Sequence, residues 1–88
     1  MPKQNSEIDI DETFAEALAV VRDVMREGAR PHPASDWTQR EINHHVRRAQ
    51  IHLSLWLNGN PEHQTVNLDH ALTRLLMAVT LRERERHG

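Results

Sequence analysis

In the stretch TQREINHHVRRAQIHLSLWLN, residues 38–58, apolar side chains recur at helical spacing. It opens with the Thr38-x-x-Glu41 spacing of a capping box, in which two side chains satisfy free backbone N–H groups at a helix start. Gly59 and Pro61 follow it and favour helix termination. The apolar stripe contains Ile42, Val46, Ala49, Leu53, Trp56 and Leu57. We therefore predict an amphipathic helix over residues 38–58.

Two further helices are predicted on either side of this one. Residues 11–27 are apolar at helical spacing and stop at Gly28. Residues 67–85 form a last helix that Asn67 or Thr65 can cap. Met77 and Leu81 lie outside the apolar stripe of the last helix and make it apolar on two sides, which is typical of a helix buried between neighbours. Two explanations stay open, since either another protein chain or the first helix can cover them.

The length of 88 residues suits one small domain with a thin core. We predict an all-α, three-helix domain over residues 11–88, preceded by a flexible segment at residues 1–10. Self-association as a dimer or higher oligomer is expected, because pairing compensates for a thin core. The chain has no cysteine, no apolar run long enough to span a bilayer and no signal-peptide pattern at its start. We therefore expect a cytoplasmic protein without a membrane partner.

Charge and motif content exclude several functional classes. The formal net charge is −2, which argues against direct DNA binding as the main role. The sequence has no Gly-rich phosphate loop and no nucleophile elbow. It also lacks the doubled Glu-x-x-Glu pattern that would hold magnesium on a helix bundle. No catalytic residue therefore stands out from motifs.

Histidine is the residue type most able to form a binding or catalytic site here, since the chain contains seven. His45 and His52 lie seven residues apart on the middle helix, too far along the axis to share one metal ion. We expect their rings to lie at the edge of the apolar stripe with wet nitrogens. Alternatively, His52 and His70 converge from two helices. Arg48, on the same flank as His52, either holds a phosphate group or joins a surface network with Glu41.

Several landmarks between Val24 and Leu81 resemble a known family. Gly-Ala-Arg at residues 28–30 precedes Asp-Trp at 36–37, and Ile-His-Leu at 51–53 precedes a Gly-Asn step at 59–60. The last helix opens with Val-Asn-Leu-Asp-His-Ala at 66–71. Their order and spacing resemble the N-terminal domain of phage and bacterial dATP/dGTP diphosphohydrolases over about two thirds of the chain. The retained residues are Trp37, His52, Gly59, Leu68, His70 and Ala71.

The resemblance implies a first hypothesis, which is purine deoxynucleotide binding or diphosphohydrolase activity. The candidate catalytic residues are His52 and His70, with Arg48 on phosphate, Asn67 at the site and Trp37 as a wall or stacking surface. A divalent metal, Mg²⁺ or Mn²⁺, belongs to this hypothesis alone, and no cofactor is predicted otherwise.

The departures from the family pattern favour a second hypothesis. Ile51 stands where the family has Arg, Asn60 where it has an acid, and Asn67 where it has His. Loss of three such polar groups is typical of a protein that has lost catalytic activity. The second hypothesis is a non-catalytic, phage-type protein that acts by protein–protein interaction, for example on a host protein in counter-defence.

Overall fold

A computed structural model describes residues 8–28, 36–59 and 64–88. These residues form four α-helices and one 3-10 turn, without a strand among them. The helices are α1 (Ile10–Thr13), α2 (Ala15–Gly28), α3 (Ile42–Asn58) and α4 (Gln64–His87), and the 3-10 turn spans Asp36–Gln39. The prediction of an all-α chain is confirmed. Residues 1–7 of the predicted flexible segment lie outside the described residues, and Ile10 already begins α1.

The helix boundaries correct the sequence prediction at three places. The first predicted helix is divided at Phe14 into α1 and α2. The Thr38–Glu41 capping box does not form, because Thr38 lies in the 3-10 turn and Glu41 caps α3 without a side-chain hydrogen bond. Asn67 is not a cap, because α4 begins three residues earlier at Gln64. Termination at Gly59 is confirmed, since this residue has a left-handed backbone with φ of 73°.

The central element of the fold is α4. It packs along α3 and also contacts α2 and the 3-10 turn, whereas the described α2 and α3 do not contact each other. Hydrogen bonds from α3 to α4 join His45 to Arg74 and His52 to Asn67, so the two helices run antiparallel. α2 and α3 therefore each pack against α4, and the three helices enclose no common core.

The contact between α3 and α4 is rotated from the predicted apolar stripe. The side of α3 that meets α4 carries His45, Ala49 and His52, while Val46 and Leu57 remain exposed. At 100° per residue, the two sets of side chains are centred about 100° apart around α3. The prediction that His45 lies at a wet edge is therefore wrong, because its exposed fraction is 0%.

One polar side chain of α4 outside the contact with α3 is also buried. Thr73, which the sequence places in a polar strip with Asp69 and Thr80, is 2% exposed. Its hydroxyl donates to the carbonyl oxygen of Asp69 at 3.0 Å, which allows a threonine to be buried inside a helix. Met77 and Leu81 are half-buried. None of the described helices is long and apolar enough to cross a membrane.

Candidate functional site

Among the described residues, His45 is the most buried polar side chain, and both of its ring nitrogens form hydrogen bonds. Nδ1 lies 3.1 Å from Arg74 Nη1, and Nε2 lies 2.9 Å from the backbone carbonyl oxygen of Trp37. Arginine has only donors, so Nδ1 must accept and the proton must reside on Nε2, which donates to Trp37. His45 therefore joins α3 to α4 and to the 3-10 turn through one neutral ring.

A second histidine contact lies about two turns further along α3. His52 Nδ1 is 3.1 Å from Asn67 Oδ1, so the ring donates and the amide oxygen accepts. The His52 ring stacks on His70, with ring centroids 5.1 Å apart and an interplanar angle of 28°. Asn67 is only 7% exposed, whereas both rings are half-buried and keep some contact with solvent. The two histidines thus converge, as one of the open alternatives required.

The charges around this pair are mainly positive. Burial lowers the pKa of His70 below 6.5, and the nearby His52, Arg74 and Arg48 lower it further, while Asp69 alone acts in the opposite direction. Burial likewise lowers the pKa of Arg74, with Arg48 and Arg40 as additional causes. Because these groups share one side of the α3–α4 pair, the positive charge of each disfavours protonation of the others. An anion bound among them would relieve that repulsion.

This positively charged side is hereafter called the basic flank. Its members on α3 and just before that helix recur every four residues, and its α4 members are four residues apart, so each set forms one row. The members of the basic flank are Arg40, His44, Arg48, His52, His70 and Arg74. The pKa of His44 is also lowered, first by burial and then by His45 and the three arginines. Glu41 forms no ion pair with Arg48 among the described residues, so the predicted surface network is not present.

A shallow surface depression opens at the start of α3, at one end of the basic flank. Gln39, Arg40, Glu41, His44 and Arg47 line it. It lies about two to three turns from His52 along α3 and is open to solvent. The depression extends the positively charged surface beyond the stacked histidines, and Glu41 is the one acidic side chain in its lining.

The structure brings together four of the five predicted ligand-binding residues. His52, Asn67 and His70 are in direct contact, and Arg48 is close enough to affect the pKa of His70. Trp37 lies elsewhere, because its ring meets the edge of His45 at 6.3 Å and the Arg84 guanidinium lies 5.5 Å from its centroid. The role of Trp37 as a stacking surface for a nucleotide stays a prediction.

Sequence reasoning did not select Arg74, which proves to be central to the basic flank. The available signal was its position four residues after His70, which puts both on one side of α4. The burial of His45 had no comparable signal, since it depends on which side of α3 meets α4. Among the described residues, no three His, Asp or Glu side chains are grouped so that they could hold a metal ion.

Comparison with protein families gives a match that covers almost the whole chain. The model of the family described as dATP/dGTP diphosphohydrolase, N-terminal, matches residues 2–87. This chain belongs to that family. Searches of curated proteins and of solved structures each gave no match. The predicted resemblance to this family is thus confirmed, and the basic flank lies on a dATP/dGTP diphosphohydrolase N-terminal domain.

Proposed function

We propose that this domain binds the phosphate groups of a purine deoxynucleotide at its basic flank. The observation that supports the proposal is the convergence of His52 and His70, with ring centroids 5.1 Å apart, beside Arg48 and Arg74. Arginine presents several donors in a planar fork that suits phosphate oxygens, and the stacked rings offer a surface on which a base can stack. The family name supplies the class of nucleotide.

The proposal concerns binding without hydrolysis. Diphosphohydrolase chemistry on a helical domain uses magnesium held by grouped carboxylates, and the sequence lacks the doubled acidic pattern that would supply them. A role for Mg²⁺ or Mn²⁺ would therefore be to accompany the nucleotide. His52 and His70 remain the candidates for catalysis if turnover of dATP or dGTP is detected.

Calorimetric titration with dATP and dGTP, with and without Mg²⁺, tests the proposal. We expect Arg48→Gln to weaken binding about 10-fold or more, because it removes a charge-assisted contact. Arg22→Gln, which removes an exposed arginine on α2, is the matched control and should bind as the parent does. Inorganic pyrophosphate should compete. Absence of heat at millimolar nucleotide, or equal weakening by both variants, would contradict phosphate binding at this flank.

A second function is favoured by a different side of the molecule. Large apolar side chains remain exposed opposite the basic flank on α3 and α4, which is typical of a protein interaction surface. The corresponding proposal is a non-catalytic, phage-type interaction protein of the bacterial cytoplasm, for example one that binds a host protein in counter-defence. Its test is co-purification from a host lysate. A specific partner should be lost with Leu68→Glu and retained with Leu55→Glu, two leucines of matched exposure.

A further inference from the structure

Arg74 differs from the other arginines of the basic flank in how it is held. Arg40 and Arg48 are exposed, whereas Arg74 is half-buried. Burial is the main cause that lowers the pKa of the Arg74 guanidinium, and no carboxylate of the described residues acts on it in the opposite direction. A buried cation is ordinarily paired with an anion. Within the described part of the chain, the hydrogen-bond partner of Arg74 is instead the neutral ring of His45.

The ring of His45 is a fixed acceptor for Arg74. It has no exposed surface, and its Nε2–H group donates to the carbonyl oxygen of Trp37 at 2.9 Å. The Trp37 ring also meets it edge-on, with centroids 6.3 Å apart. The imidazole therefore cannot turn without breaking contacts in the interior. Because Nδ1 is fixed in this way, the Arg74 Nη1 atom that donates to it across 3.1 Å is fixed as well.

The part of the Arg74 guanidinium that His45 does not engage faces solvent. Among the described residues that are not exposed, no buried side-chain nitrogen or oxygen lacks a hydrogen-bond partner. The nitrogens of Arg74 that form no hydrogen bond must therefore be accessible to water. They lie near Arg48, whose charge contributes to the lowered pKa of Arg74. A planar guanidinium held at one nitrogen and open at the others can donate to phosphate oxygens.

We propose that His45 is a positioning residue of the basic flank, which fixes the Arg74 guanidinium so that its free N–H groups meet a phosphate without further ordering. Its role depends on the phosphate binding proposed above, although His45 itself does not touch the ligand. Ordering a long side chain during binding weakens affinity by about 2- to 12-fold. Arg74 avoids this loss because folding has already ordered it, whereas the exposed Arg48 does not.

Two substitutions separate the two hydrogen bonds of His45. His45→Asn keeps an acceptor oxygen where Nδ1 was but does not reach Trp37, while His45→Gln reaches the Trp37 carbonyl with its amide and leaves no acceptor for Arg74. Each variant loses one buried hydrogen bond, so both weaken the fold. In calorimetric titration with inorganic pyrophosphate, His45→Asn should stay within about twofold of the parent Kd, and His45→Gln should raise it about 3- to 10-fold. Equal affinities of the two variants would overturn the positioning role.

A double-mutant cycle tests whether His45 acts through Arg74. Arg74→Gln should raise the Kd for pyrophosphate about 10-fold or more, because it removes a charge-assisted contact. In that background His45→Gln should change the Kd by less than about twofold, since the side chain that it positions is gone. The same loss in both backgrounds would overturn the inference. Arg22→Gln, on the exposed side of α2, is the control and should bind as the parent does.

One measurement needs no substitution, so it remains decisive if the His45 variants do not fold. In the isotopically labelled parent chain, NMR should detect a nitrogen–nitrogen coupling across the hydrogen bond between Arg74 Nη1 and His45 Nδ1, and the coupling should persist at saturating pyrophosphate. Its loss on binding would mean that Arg74 leaves His45 to reach the phosphate, which overturns the positioning role alone. Absence of pyrophosphate binding by the parent would instead contradict the proposed function itself.

Discussion

His45 has no exposed surface, yet Arg74 donates a hydrogen bond to its Nδ1 atom across 3.1 Å. The other ring nitrogen, Nε2, donates a hydrogen bond to the carbonyl oxygen of Trp37. This pair connects three elements and uses every polar atom of the imidazole. Of the residues that the structure describes, none with a buried side-chain nitrogen or oxygen leaves that atom unpaired.

Replacing His45 by Leu should lower the free energy of unfolding by about 2–4 kcal/mol, because the Trp37 carbonyl and the Arg74 guanidinium then lose their partner inside the protein. Chemical denaturation followed by circular dichroism measures this loss. His44→Leu is the control, since His44 is adjacent but only half-buried, and it should change stability by less than about 1 kcal/mol. Nitrogen chemical shifts should show the proton of His45 on Nε2. A proton on Nδ1 would contradict the donor assignment.

Asn67→Leu should destabilise the domain by about 1–3 kcal/mol, because it removes the acceptor for the Nδ1–H group of His52 at a site that is 7% exposed. Asn43→Leu makes the same chemical change at an exposed position of α3 and should stay within about 0.5 kcal/mol of the parent. Denaturant midpoints compare the two. Equal effects would mean that the His52–Asn67 contact contributes nothing measurable.

The lowered pKa of His70 makes stability depend on pH in a defined direction. Its pKa in the folded chain lies below the unfolded value of 6.5, so near that pH the unfolded chain binds more protons. The contribution is therefore complete above pH 6.5 and is lost as pH falls from 6.5 through the folded pKa. The thermal midpoint of the parent chain should fall as the pH is lowered from 7.5 to about 5, and that of His70→Gln should fall less steeply. An equally steep fall in that variant would assign the dependence to other groups.

A bound phosphate should act on His70 in the opposite sense. An anion beside Arg48 and Arg74 would favour the protonated ring, so proton titration by NMR should show the pKa of His70 rising when pyrophosphate is added. His87, near the end of α4 and exposed, is the internal reference and should shift little. Equal shifts at both histidines would indicate general ionic screening and would contradict a local site.

Gly59 and Gly28 provide a matched test of helix termination. Gly59 ends α3 with φ of 73°, and nothing lies within 4 Å of where a Cβ would be. Gly59→Ala should therefore cost about 1 kcal/mol from backbone strain alone. Gly28 is the last residue of α2, also has open space, and lacks a positive φ. Gly28→Ala should be neutral or stabilising by up to about 1 kcal/mol, and a loss equal to that of Gly59→Ala would refute the strain argument.

Much of this protein can be predicted from its sequence. Helical periodicity determines that the chain is all-α, and Gly59 marks the end of α3 because its lack of a side chain permits a left-handed backbone. The order and spacing of the landmarks between Val24 and Leu81, among which the motif at residues 66–71 is the most specific, indicate the family. These features depend on local backbone preferences or on residue identity, so they require no knowledge of which helices meet.

Tertiary packing alone decides the rest, because periodicity defines an apolar stripe but not the part of it that faces a neighbour. α4 meets α3 at His45 and His52, about 110° from the centre of the exposed apolar row on α3. Of these two predicted edge residues, His45 is therefore buried and His52 stacks on His70. The same rotation leaves Val46 and Leu57 of α3 exposed. Tertiary contacts also account for the 3-10 turn at Asp36–Gln39, which includes Thr38 of the expected capping box. Here His45 donates a hydrogen bond to the carbonyl oxygen of Trp37.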